Sequence, residues 1–423
     1  MRTASARRSP RNDPTGRYVE SDYLIIVALA PTSEVMRKTL TYATAGTAVA
    51  LLAGYGLFVR RFYKSLNDPT ASLPLYATPD IPDERQHPLG SRFGHTTEAS
   101  EVVDGLDLRG KTIVVTGGHS GTGREAVRAL AGAGATIVAL ARDVERARAG
   151  LLGISNTSVE PLDLLDPASI DAFAARFVRS GQPIHALINS AAIMATPLEH
   201  DARGYERQFA TNVLGHFQLT LRLLPALERA QGARVVNVSS RGNHAGGVLF
   251  DDINFERTPY TGMRAYAQTK SALILLTVKE DALWQSKGIR AFATTPGPVP
   301  STDLFAAGGV GQRPASEVAA KRMRARVLRA TRATEILNLW RRPNNEGDLY
   351  KTVQQGGATA TWAAVSPDLD GRGGVYLEDC DIAPVVPDEG RAPYGVKSWA
   401  IDPEAADRLW ALCEDMTGVR YAP

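Results

Sequence analysis

Tyr266 and Lys270 stand four residues apart in Tyr-Ala-Gln-Thr-Lys, about 150 residues after a glycine-rich turn, Thr-Gly-Gly-His-Ser-Gly-Thr-Gly, that runs from Thr116 to Gly123. A free phenol has a pKa of about 10, so it is no base near neutrality unless a cation favours its phenolate. Lys270 lies one helical turn on and can supply that charge. Between the two motifs comes Val-Asn-Val-Ser-Ser, where Ser240 can hold a substrate oxygen by hydrogen bonding. Tyr266 would then remove or return a hydroxyl proton while hydride passes to or from a nicotinamide. A Tyr and a Lys at this spacing are in most proteins an exposed helical pair. Here the serine and the upstream glycines argue for chemistry instead.

These residues need a frame. Thr112-Ile113-Val114-Val115 is a short β-branched run that predicts a buried strand, and Arg124 to Leu130 after the glycines predicts a helix. Ala135 to Leu140, Thr157 to Leu162, Ile184 to Asn189 and Arg234 to Val238 predict four more buried strands. Helical patterns separate them, from Pro167 to Val178 behind the N-cap candidate Asp166, and from Tyr205 to Arg229. Apolar strands alternating with helices imply an α/β fold, a Rossmann-type doubly wound parallel sheet covered on both faces. Ligands bind such sheets beyond the carboxyl ends of the strands, where Gly117, Asn189, Ser239 and Ser240 fall. Glycines at that first turn let a pyrophosphate approach the chain and meet the helix N-terminal amides.

The segment from about Asp107 to Leu409 resembles the short-chain dehydrogenase/reductase family. The family's TGxxxGxG is matched by Thr116 to Gly123, its YxxxK by Tyr266 to Lys270, and its PG turn by Pro296-Gly297. Its NNAG element occurs in altered form as Asn189-Ser190-Ala191-Ala192, and Ser301 stands where the family often keeps Thr. These departures bear on cofactor affinity more than on activity. The resemblance implies a catalytic set of Asn212, Ser240, Tyr266 and Lys270, with Asn212 of Ala-Thr-Asn-Val-Leu-Gly-His-Phe at the proton-relay position. It implies a cofactor site at Thr116, Gly117, His119, Ser120, Gly121, Thr122, Gly123, Asn189, Ala191, Pro296, Gly297 and Val299, joined by Tyr266 and Lys270. The stretch between Ser240 and Tyr266, and the tail Gly373 to Cys380, resemble the branch of retinol dehydrogenases and WW-domain oxidoreductases, although no WW domain is visible.

Cofactor choice turns on the residues after the second strand. The chain reads Leu140-Ala141-Arg142-Asp143, so an apolar residue and then a cation stand where an NAD enzyme usually keeps a carboxylate. That favours NADP(H), with Arg142 on the 2′-phosphate. Asp143 lies about 20 residues beyond Gly123, where an acid would serve NAD(H), and keeps that alternative open. Asp163 and Leu164 match the position where family members contact the adenine, while a loop-initiating carboxylate is an equal account of Asp163.

Residues 1–39 form a tail, and Met36-Arg37-Lys38 within it resembles the start of a signal peptide or an uncleaved signal anchor, the latter being preferred, which would make residues 1–35 a gene-model extension. Leu40 to Val59 holds 20 residues without a charge between Arg37-Lys38 and Arg60-Arg61, long enough to cross a bilayer core as one transmembrane helix. Residues 60–106 suit a linker over the surface of the domain, which is expected at 107–423 as the single catalytic domain. Two cysteines, Cys380 and Cys413, suggest no disulfide framework and a catalytic domain facing the cytosol, with the endoplasmic reticulum as the membrane in a eukaryote. A net charge of +3 is too small to imply nucleic acid, and no metal set is expected. Lys321 to Arg342 carries eight basic residues and an apolar stripe, which predicts a basic amphipathic helix as lid or membrane contact.

Together these observations point to a membrane-anchored oxidoreductase interconverting a lipophilic alcohol and its aldehyde or ketone. The alternative is a cofactor-binding regulatory protein without turnover, which an intact Ser240, Tyr266 and Lys270 disfavours. A homodimer would use helices around Tyr205 to Arg229 and Arg264 to Lys287, which resemble the pair that family members use to dimerise.

Overall fold

β-branched residues at Ile113, Val114 and Val115 fill the centre of an eight-stranded sheet in the computed structural model, which describes residues 85–302, 349–390 and 394–422 with the single positions 304, 323, 338 and 392. The strands are β1 (Thr112–Thr116), β2 (Thr136–Ala141), β3 (Thr157–Pro161), β4 (Ala186–Asn189), β5 (Arg234–Val238), β6 (Arg290–Thr294), β7 (Val375–Glu378) and β8 (Asp381–Ile382). Their order is β3-β2-β1-β4-β5-β6-β7-β8. Every pairing is parallel except β7 with β8. The strand order reverses between β1 and β4, where a doubly wound sheet opens its ligand crevice.

The five strands expected from the sequence are present. One differs in setting: β3 is an edge strand with no buried residue before Leu162, because it has a single neighbour and its Thr-Ser-Val-Glu-Pro offers little to bury. The helix expected from Tyr205 to Arg229 is split. Helix Arg207–Phe209 passes into a π-turn, Ala210–Leu214, before helix Gly215–Glu228.

On one face of the sheet helix Gly121–Gly132 packs on helix Val353–Val365, with the short helix Ala99–Val102 beside them. Gly356 permits this approach, since a Cβ there would lie 2.6 Å from Thr122 Cγ2 and from Val299 Cγ2. On the other face helix Pro167–Arg179 packs on Gly215–Glu228, and helix Gly262–Trp284 lies against β5 and β6. The side of Gly262–Trp284 turned from the sheet is covered by the C-terminal helix Pro403–Thr417, so this helix is buried nearly all round. Trp410 of that covering helix sits 4.9 Å from Phe217 and 5.9 Å from Trp284, ring centre to ring centre. One side of helix Gly262–Trp284, part of the surface expected to pair two copies, is thus covered within the chain.

Packed structure begins ahead of Asp107. The Gln86 amide donates to the Tyr376 and Ala383 carbonyls at 2.8 and 2.6 Å and accepts from the Tyr376 amide. The Asp381 carboxylate takes the amides of Leu89, Gly90 and Ser91. Cys380 and Cys413 are buried free thiols. Among the described residues no helix is long and apolar enough to cross a membrane. The expected membrane helix Leu40 to Val59 lies outside the described residues, as does the basic helix Lys321 to Arg342 apart from Met323 and Asn338.

Candidate active site

The turn after β1 is shaped by one close approach. Gly117 has φ +68°, and a Cβ there would lie 2.9 Å from the Ala191 Cα, so the β1 and β4 turns touch through backbone. The Thr116 hydroxyl seals the contact by accepting the Ser190 and Ala191 amides at 2.9 and 3.0 Å. Ser120, the N-cap of Gly121–Gly132, makes no side-chain cap bond. The first helical turn therefore offers its amides to the cleft, a cradle that fits a pyrophosphate.

A cleft of about 560 Å³ runs over the carboxyl ends of the strands. Of the expected cofactor residues, Thr116, Gly117, His119, Ser120, Gly121, Thr122, Gly123, Arg142, Asp163, Leu164, Ala191, Pro296, Gly297 and Val299 line it, and so do Ser240 and Tyr266. Arg142 is exposed at the end of β2. Asp143 caps the next helix, Val144–Leu151, its carboxylate accepting from the Arg146 amide at 3.0 Å. Asp163 accepts the Leu165 amide at 3.0 Å, so it is a turn-forming carboxylate as well as part of the wall.

Three expected residues do not line the cleft. Asn189 is buried behind it, donating to Asn237 Oδ1 at 2.9 Å and Thr220 Oγ1 at 3.1 Å, which ties β4 to β5 and to the helix beneath. Asn212 is fully buried in the π-turn, and its amide is spent on structure: Oδ1 accepts from the Ile193 amide at 2.9 Å, and Nδ2 donates to the Ile193 carbonyl at 2.9 Å and to Thr269 Oγ1 at 3.2 Å. Lys270 lies behind Tyr266, its ammonium donating to the Val238 carbonyl at 2.8 Å.

Helix Gly262–Trp284, capped by Thr261, carries Tyr266 and Lys270. Ser240 follows β5, accepts the Gly242 amide at 3.1 Å and lines the cleft with Tyr266. Burial pushes the Tyr266 phenol up to about 12, against the opposite pull of the Ser240 hydroxyl. Burial likewise pushes the Lys270 ammonium down to about 7. The lowering of the tyrosine by Lys270 that its spacing predicts does not emerge in the protein alone. Desolvation acts on both groups and outweighs it.

The far wall of the cleft was not foreseeable from the motifs. It holds Met194, Thr196, Arg207, Thr211, Arg241 and Met263. Arg241 directly follows Ser240 and is ion-paired with the buried Glu378 at the end of β7, which cancels its charge. The only sequence signal was its adjacency to Ser240. Among the described residues no group of acidic, His and Cys side chains could hold a metal.

Comparison with known proteins agrees with this geometry. The family model described as short chain dehydrogenase matches residues 111–313. The chain is 40% identical over 322 residues to the "Probable oxidoreductase" of Streptomyces lividans, covering 73% of this chain and 98% of that one. It is 31% identical over 322 residues to the human retinol dehydrogenase 12, covering 75% and 89%. A crystal structure of an uncharacterized protein from Mycobacterium paratuberculosis superposes with a TM-score of 0.55 at 28% identity, over 77% of this chain and all of the other.

Proposed function

The chain belongs to the short-chain dehydrogenase/reductase family, in the retinol dehydrogenase-like branch, and from that premise we propose that it is a membrane-anchored, NADP(H)-preferring enzyme interconverting a lipophilic alcohol and its aldehyde or ketone. The observation that carries the reading is that Ser240, Tyr266 and Arg142 line one cleft together with the glycine turn.

Bound nicotinamide supplies or accepts the hydride. Ser240 holds the substrate oxygen by hydrogen bonding. Tyr266 gives that oxygen a proton in reduction and takes one in oxidation. Lys270, its ammonium 5.3 Å from the centre of the Tyr266 ring, favours the phenolate in the fraction of molecules in which it is charged. Arg142 supports NADP(H), since Asp143, the acid that would serve NAD(H), is engaged as a helix cap. Met194 and Met263 on the far wall support an apolar substrate, and Arg241 adds no net charge there because Glu378 balances it. The similarity to a protein named as a retinol dehydrogenase supports the same class. The uncharged run Leu40 to Val59 supports a single-pass anchor that keeps the domain beside the membrane holding such a substrate.

Calorimetry of the full-length chain with NADPH and NADH, with turnover of a panel of apolar aldehydes, tests the reading. Tight NADPH binding, Tyr266-dependent turnover and a swing toward NADH in Arg142→Glu are expected. NADPH binding with no turnover of any alcohol or carbonyl would overturn the enzyme reading, and an unchanged preference in Arg142→Glu would overturn the role of that arginine.

A further inference from the structure

His216 is fully buried one turn beyond Asn212 and touches two parts of the site. Its Nε2 lies 2.9 Å from the Thr116 hydroxyl and its Nδ1 2.9 Å from the Asn212 carbonyl. Both lone pairs of Thr116 Oγ1 are taken, by the Ser190 and Ala191 amides, so its single proton is left for His216 Nε2. A neutral imidazole that accepts at Nε2 carries its proton at Nδ1, which then donates to the Asn212 carbonyl. Each hydrogen in the chain has one place to go.

We propose that His216 is a positioning residue that locks the glycine-turn strand end at Thr116 to the π-turn at Asn212, so that the cofactor cradle and the catalytic helix keep one relative placement. Thr116 binds the two amides that bring Ala191 against Gly117 in the cradle. On the other side, Asn212 holds Ile193 of the cleft wall and Thr269, which lies between Tyr266 and Lys270 on helix Gly262–Trp284. The π-turn itself, in which the Gly215 amide reaches back to the Ala210 carbonyl, is a device that recurs at functional sites. Burial keeps the imidazole neutral, down to about 4, which is the state the chain of donors requires.

The two contacts can be separated chemically, because an Asn amide nitrogen overlays Nδ1 and a Gln terminal oxygen reaches the place of Nε2. The inference deepens the NADP(H) reading of the cleft and rests on it for its kinetic readouts. In the full-length chain, His216→Asn keeps the donor to Asn212 and loses Thr116; it is expected to weaken NADPH binding by calorimetry roughly tenfold and to hold kcat within about twofold. His216→Gln keeps the acceptor for Thr116 and loses Asn212; it is expected to hold NADPH affinity, to lose roughly tenfold in kcat, and to speed amide exchange at Asn212, Val213 and Leu214. Thr116→Val cuts the chain from the opposite end and also strips the Ser190 and Ala191 amides of their acceptor, so it is expected to weaken NADPH binding more than His216→Asn does, should either histidine variant fail to fold. Equal losses of affinity and kcat in both histidine variants, or unchanged exchange in His216→Gln, would overturn the proposal. A wild-type chain that binds neither nucleotide would defeat the cofactor reading, while the exchange measurement would still decide whether His216 holds the π-turn.

Discussion

The Lys270 ammonium stands 5.3 Å from the centre of the Tyr266 ring and donates a hydrogen bond to the Val238 carbonyl. With burial holding the phenol near 12 and the ammonium near 7, Tyr266 is protonated at neutrality and Lys270 is about half charged. Carbonyl reduction needs the protonated phenol, so its kcat/KM should be flat through neutral pH. Alcohol oxidation needs the phenolate, so its kcat/KM should climb with pH across the same range. Profiles of kcat/KM report the groups of the free enzyme and so test these positions directly. Tyr266→Phe should lose about 10²- to 10⁴-fold in both directions. An oxidation profile that falls with rising pH would remove Tyr266 from the role of base.

Gly117→Ala attacks the cradle through backbone alone. At φ +68° a side chain is strained, and its Cβ would press on the Ala191 Cα at 2.9 Å, where no flexible side chain can yield. The left-handed conformation costs on the order of 1–3 kcal/mol, and the steric conflict must separate the β1 and β4 turns. The expected result is a lower urea midpoint together with weaker nucleotide binding. Full affinity in a destabilised variant would mean that the cradle tolerates a wider gap than its geometry implies.

The glycine turn, the serine and the Tyr-Lys pair were legible because each is a local pattern whose chemistry depends on residue type and spacing. The first five strands were legible as short strand-like runs between helical patterns, most clearly the β-branched Ile113-Val114-Val115. β6 to β8 carried less signal. β7 reaches its place by pairing Val375 with Phe292 of β6 across more than eighty residues of chain, a relation that no window of sequence contains. The exposure of β3 follows from its position at the edge, which sequence alone does not disclose. Asn212 is the sharper case. Its motif resembles the family's proton-relay position, while the structure shows its side-chain amide holding Ile193 and Thr269 within a π-turn that has no sequence signature.

Glu280 is fully buried with its carboxylate accepting from Asn237 Nδ2 at 2.7 Å, within the network that also holds Asn189 under the cleft. Burial, helped by Asp281, pushes this carboxyl up to about 8 despite the Asn237 hydrogen bond. A folded-state value above the unfolded one means that the native protein binds more protons, so the stability it contributes is full below about 4.5 and is lost as pH rises through about 8. The slope for one group is at most about 1.4 kcal/mol per pH unit. Glu280→Gln keeps an acceptor for Asn237 and removes the titration. Urea unfolding at pH 6 and pH 8.5 should show the wild type losing more stability than the variant over that step. Parallel losses would mean that the carboxylate stays ionised through a route the hydrogen bonds do not reveal.

The C-terminal helix decides what the pair of helices after β4 and β5 can do. Trp410 is 6% exposed and meets Phe217 of helix Gly215–Glu228 and Trp284 of helix Gly262–Trp284 edge-on, with Tyr421 closing the cluster at 6.3 Å from Trp410. Family resemblance had marked these two helices as a dimer surface. A second copy could reach the side of helix Gly262–Trp284 covered here only by displacing helix Pro403–Thr417, at the loss of a buried indole and the aromatic contacts around it. Trp410→Ala should cost about 3–5 kcal/mol of stability, the usual penalty for truncating a buried Trp, with an added aromatic-pair contribution on top of the lost area. It should also bare Phe217 and Trp284, both otherwise buried, and create an apolar patch where the helix packs less firmly. Sedimentation of the two proteins at matched concentrations should then show greater self-association in the variant than in the wild type. If instead the wild type associates through these helices and Trp410→Ala weakens the association, the indole belongs to an interface between copies, and the cover that it forms within one chain must open for the dimer to assemble.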